Sequence, residues 1–210
     1  MRKHFSFATL LALLIAFCAS VGASAQAGST ITAKPAAGEW KFSQHGTNRQ
    51  LDFEAAPSAP GKRAMFSVRF IADPHSDKQS TGVVGVEIYF NDLAPYQGFD
   101  FNSFEGPDAP ASAKKLVKFT INAKGKAPLE MRFTAAGWYP QGETFAFGMV
   151  EVSGKAGSPQ KALIRALAAG AETLQVTIVD FRDARRSIEL LLPVTGQGAD
   201  FARLLEGMRR

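Results

Sequence analysis

The side chains best placed to do chemistry in this 210-residue chain lie in one short polar stretch, Asp73-Pro74-His75-Ser76-Asp77. It sets an imidazole beside two carboxylates and a hydroxyl, the parts from which a hydrolase builds its acid, base and nucleophile, or a weak metal site its ligands. The same residues serve a turn at least as well, because Asp, Pro and Ser preset or hydrogen-bond turn backbone. His45 stands in a separate turn. Neither His45 nor His75 has a second histidine or a cysteine at metal-ligand spacing. Asp100, Asn102, Glu105 and Asp108 supply oxygens without the spacing or the glycine of a calcium loop. The expectation is therefore no catalytic residue, no metal and no cofactor, with a hydrolase centred on His75 as an alternative.

A different kind of site is written in the aromatic residues. Asn91–Ala113 has no apolar period and exceeds the roughly 12–15 residues beyond which structureless loops are usually functional or disordered. Tyr96, Phe99, Phe101 and Phe104 alternate there with Asp100, Asn102, Glu105 and Asp108, a mixture suited to gripping a partner or lining a ligand mouth. The opposing reading folds Phe99, Phe101 and Phe104 back as a lid on one end of the fold, since aromatic rings bury large apolar areas. Trp138 and Tyr139, in the turn Gly137-Trp138-Tyr139-Pro140-Gln141-Gly142, form either an interaction tip or a plug under the rim. These six residues are the candidate contacts for a protein or an apolar small molecule. The basic turn Arg182–Arg186 offers an anionic surface, such as lipid headgroups, a weak contact, or else keeps a hairpin tip soluble and blunts its edges.

These loops must be carried by strands. Trp40/Phe42 and Leu51/Phe53 alternate on either side of a link holding Gly46 and Asn48, which predicts a hairpin. Phe66/Val68/Phe70, Val84/Val86/Ile88/Phe90, Val117/Phe119/Ile121, Leu129/Met131/Phe133 and Phe145/Phe147/Met149 repeat the two-residue period. The clearest pair is Glu172–Val194: Leu174, Val176 and Ile178 share one face, Ile188, Leu190, Leu192 and Val194 another, across the turn Arg182–Arg186. Helical spacing comes late. Ser158-Pro159 starts Gln160–Ala169, which Gly170 stops, and Phe201, Leu204, Leu205 and Met208 place a second helix over Ala199–Met208. About nine strands and two short C-terminal helices predict a mainly β protein, an antiparallel β-sandwich with a partly closed barrel as the alternative.

Arg2 and Lys3, the apolar run Phe5–Ala19 and Ala23-Ser24-Ala25 have the order of a secretory signal cleaved near Ala25. The run is short for a bilayer span of roughly 20 apolar residues, so no transmembrane segment is expected and the mature chain should be soluble, in the periplasm or secreted. Phe17 before Cys18 does not suit a lipid-modified cysteine, and cleavage removes the only thiol, leaving stability to core burial. Residues 26–38, rich in Ala, Ser, Thr and Gly, read as a flexible leader, and 39–210 as a single domain. The formal net charge of +5 includes Arg2 and Lys3 and is otherwise scattered, too mild for a nucleic-acid partner.

The C-terminal order KALIRALAAGAETLQVTIVDFRDARRSIELLLPVTGQGADFARLL joins an aliphatic helix, a Gly, an alternating strand, a turn, an apolar strand, a Gly and a Phe-led helix. In this last quarter the chain resembles periplasmic proteobacterial proteins of the invasion-associated locus B family. The resemblance implies an exported β-sandwich without a known catalytic site, in a Gram-negative setting. The expected function is a non-enzymatic binding or accessory protein acting through the aromatic loop. A carrier of a hydrophobic small molecule held between the sheets is the first alternative.

Overall fold

A computed structural model describes residues 30–33, 38–57, 61, 63–74, 82–151 and 158–208. Among these, eleven strands form two separate sheets, so the fold is a β-sandwich and the barrel alternative falls away. The six-stranded sheet contains β2 (Gly38–His45), β3 (Asn48–Ala55), β4 (Phe66–Asp73), β5 (Val83–Phe90), β9 (Phe145–Glu151) and β8 (Ala136–Trp138), neighbours in that order and antiparallel throughout. The five-stranded sheet runs β1 (Thr30–Ala33), β11 (Ser187–Pro193), β10 (Thr173–Val179), β6 (Val117–Asn122), β7 (Leu129–Phe133).

The two-residue period becomes the core directly. Leu51, Phe53, Phe66, Val68, Phe70, Val86, Ile88 and Phe147 line the inner face of one sheet, and Phe119, Leu174, Val176, Ile178, Ile188, Leu190 and Leu192 that of the other. The β10–β11 hairpin pairs Thr173 with Pro193 through Val179 with Ser187, as its alternation predicts. The hairpins β2–β3, β4–β5 and β6–β7 likewise form in register.

Two strands had no legible period. Thr30–Ala33 lies inside the stretch read as a flexible leader, yet it pairs in parallel with β11, Thr30 opposite Ser187 and Ala33 opposite Leu190. Backbone hydrogen bonds to an otherwise open sheet edge place it, and these carry no side-chain pattern. Ala136–Trp138 is three residues long, and Gly137 lets its backbone lie against Phe145: a Cβ there would stand 2.3 Å from Phe145 Cζ.

Helices α1 (Pro159–Ala168) and α2 (Gly198–Leu204) close one end. Ser158 Oγ accepts from the Lys161 N–H at 3.1 Å, Pro159 takes the first turn and Gly170 adopts φ +94°, so the predicted start and stop signals act as read. Phe201 of α2 sits between Trp40 and Phe70 at ring-centroid distances of 5.4 and 5.1 Å. Trp40 Nε1 donates to the Pro193 carbonyl at 2.7 Å, tying one sheet to the other. The α2 helix ends at Leu204, earlier than its apolar spacing predicts, and the chain continues as turns to Met208. The predicted signal segment and His75-Ser76-Asp77 lie outside the described residues. Among the described residues, no helix is long and apolar enough to cross a membrane.

Candidate functional site

The loop Asn91–Ala113 covers the end of the sandwich opposite the helices. Two short 3-10 turns give it shape, Ala94–Tyr96 and Phe101–Phe104. Asp92 Oδ1 accepts from the Ala94 N–H at 2.9 Å, and Asp100 accepts from the backbone and the hydroxyl of Ser103. The loop is fastened to the β10–β11 turn by one buried carboxylate. Asp180, 2 % exposed, accepts from the Asp100 N–H at 2.9 Å through Oδ2, and from Arg182 and Asp183 N–H at 2.8 and 3.0 Å through Oδ1. Arg182 Nε stands 2.7 Å from Asp100 Oδ2, and Arg186 donates to the Gly98 carbonyl. Arg185 pairs with Asp183, whose carboxyl that hydrogen bond holds below its ordinary range. The three guanidinium groups of the basic turn thus each have a partner within the protein, while those of Arg182 and Arg185 stay largely in solvent.

The six predicted contact residues do converge, but four of them are core. Tyr96, Phe99, Phe101 and Phe104 are all buried. Phe90 meets Tyr96 edge-on at 4.8 Å, Phe101 lies 4.9 Å from Phe145, and Phe104 meets Phe147 edge-on at 5.0 Å. Their apolar area is larger than the acidic residues between them can keep in water, so the rings turn inward while Glu105 and Asp108 stay exposed and Asp100 is held by Ser103 and Arg182. A partner grip made of these four side chains is corrected accordingly: they are the lid. The same rings pack between the sheets at this end.

The Tyr96 hydroxyl is buried with no hydrogen-bond partner among the described residues, and burial first, then the Asp92 charge, pushes its phenol pKa well up. The neutral form is the folded one. Its contribution is complete below the unfolded value of about 10 and is lost as pH rises through the higher folded value. Tyr96→Phe should gain about 1 kcal/mol at neutral pH and flatten the decline in stability above about pH 10. Urea unfolding of both proteins across pH 7–11 reads this; a destabilised variant would mean the hydroxyl is bonded.

Trp138 and Tyr139 are the remaining pair, 37 and 38 % exposed. Both are held. Tyr139 lies edge-on to Phe145 at 4.8 Å and its hydroxyl donates to Asn102 Oδ1 at 2.6 Å. The phenol pKa of Tyr139 is raised by burial, then by the charges of Glu105 and Asp100. Gly106 N–H donates to the Gly137 carbonyl at 2.8 Å, so the aromatic turn and the loop form one body. Trp138 lies on the outer face of the six-stranded sheet, edge-on to Tyr89 at 6.2 Å. It covers Gly148, where a Cβ would come within 3.0 Å of Trp138 Cζ3. Gly148 is the seat of this ring.

Beside Trp138 the outer face carries a polar row that sequence reading missed. Asp52 pairs with Arg69 at 2.7 Å, and Glu87 Oε2 accepts from Tyr89 at 2.6 Å and stands 3.9 Å from Arg69. Arg69 lies 5.5 Å from the Tyr89 ring centre. These residues occupy the outward parity of β3, β4 and β5, the one available signal, but only the register aligns Asp52 with Arg69 and Arg69 with Glu87. The site is thus an aromatic ledge next to a row of paired charges, two carboxylates around one guanidinium, able to stack and to hydrogen-bond. Among the described residues no group of three or more His, Cys, Asp or Glu could hold a metal. Comparison with protein-family models, curated proteins and solved structures returns no match.

Proposed function

We propose that this chain is an exported, non-enzymatic binding or accessory module of the cell envelope, and that it meets a protein partner at the Trp138–Tyr139 ledge. One observation carries the reading: these two large aromatics keep more than a third of their surface exposed while their backs are fixed by Gly148, Phe145, Tyr89 and Asn102. Partly exposed, pre-set Trp and Tyr are the residue types that dominate protein interfaces, because they add large contact area with little side-chain entropy left to lose. The N-terminal signal order and the C-terminal resemblance to invasion-associated locus B proteins supply the compartment.

A photo-crosslinking amino acid placed at Trp138 in cells should give a discrete adduct, while the same group at Leu129, exposed on the other sheet, should not. Absence of a Trp138-specific adduct, with the protein folded and exported, would remove the ledge as the contact surface.

A further inference from the structure

The least expected group in the fold lies at the helical end, away from the ledge. Lys161, in the first turn of α1, is 1 % exposed, and its Nζ is buried with no hydrogen-bond partner among the described residues. Its backbone N–H is used by the Ser158 cap. Removing an unpaired cation from water is unfavourable, and lysine at such a position is seldom retained for stability. Lys161 helps to line a groove of about 430 Å³ between α1 and the end of α2.

The groove has a charged wall and an apolar one. Lys161 and Arg165 stand one turn apart on α1, and Arg165 has no ion pair among the described residues. Across from them lie Ala202, Leu205 and Met208, with Glu206 beside. The volume is that of a small-molecule site. A carboxylate in the groove would meet the exposed, planar Arg165 fork directly and the Lys161 ammonium once that side chain turns toward the groove. A hydrocarbon body suits Ala202 and Leu205, with Met208 adapting to its shape. Glu206 adds one negative charge to the rim, which disfavours a second one on the ligand.

We propose that this groove binds a small monocarboxylate with an apolar body, its carboxylate neutralising Lys161. The site is independent of the Trp138–Tyr139 ledge. The test is calorimetric titration of the purified protein with decanoate, kept below its micelle concentration, beside decanol, succinate and inorganic phosphate. Decanoate should bind at least tenfold more tightly than each of the other three. Lys161→Met should weaken decanoate at least tenfold while leaving the melting temperature of the unliganded protein unchanged or higher, since a buried unpaired charge is gone. Ala202→Trp, on the exposed side of the groove, should block binding by filling it and leaves the core untouched should Lys161→Met fail to fold. Equal binding of decanol, preference for succinate or phosphate, or unaltered decanoate binding by Ala202→Trp would overturn the proposal. So would wild-type protein that ignores decanoate.

Discussion

Asp180→Ala should destabilise the protein by about 3–4 kcal/mol and release the Asn91–Ala113 loop before the rest of the fold. The carboxylate accepts three backbone N–H groups at 2.8–3.0 Å, two in its own turn and one, Asp100, eighty positions away. Alanine leaves all three donors without an acceptor in a site that is 98 % covered, the inverse of its 2 % exposure. Each charge-assisted bond is worth about 1.5–3 kcal/mol, and the three are not additive because they share one group. Asp180→Asn should fall between: Oδ1 still accepts from Arg182 and Asp183, but an amide nitrogen then faces the Asp100 N–H. Urea unfolding gives the size of the loss. Amide hydrogen exchange gives its place, with protection at Asp100, Phe101 and Ser103 lost first. Uniform loss across both sheets would mean Asp180 supports the whole sandwich rather than the loop.

Phe104→Ala should cost about 3–5 kcal/mol, the range for deleting a buried phenyl ring. Phe104 is fully buried, near-parallel to Phe99 at 6.0 Å and edge-on to Phe147 at 5.0 Å. Its main chain also supports the aromatic turn, since the Phe104 carbonyl lies 3.2 Å from where a Gly137 Cβ would stand. Trp138→Ala, by contrast, removes a ring with one face in water and should cost about 1 kcal/mol. The difference separates scaffold from contact surface: a thermal melt of each variant should show a large fall for Phe104→Ala and a small one for Trp138→Ala. Comparable falls would show that Trp138 is as structural as Phe104, and the ledge would lose its standing as a surface free to bind.

The same contrast shows what kind of information each level of structure holds. The two-residue period from Trp40 to Val194 was sufficient for nine of the strands, because an inward side chain must be apolar at every second position whichever strand it faces. Capping was equally local: Ser158, Pro159 and Gly170 bound α1 within a residue at each end. Thr30–Ala33 escaped because strand pairing at a sheet edge uses backbone groups that every residue carries, and Ala136–Trp138 because its requirement is a missing side chain at Gly137.

For the candidate site, composition singled out the aromatic residues and could not rank them by burial. Phe101 and Trp138 are both large rings in irregular segments, and nothing in their neighbours along the chain states which one faces the core. The β8–β9 register, Gly148 beneath Trp138 and the Asp180 bond to Asp100 decide it. Lys161 hid for the same reason: on a short amphipathic helix a lysine reads as a solvated flank, and only the folded chain buries its amine.

The sequence by itself therefore determined the strand periods, the bounds of α1 and the mainly β class, since these follow from interactions among residues near one another in the chain. Tertiary structure decided which aromatics are lid and which are ledge, which carboxylate clasps the loop, and that one lysine is left buried without a partner among the described residues. Burial and pairing belong to whichever residues the fold brings opposite, and here those partners lie tens of positions apart.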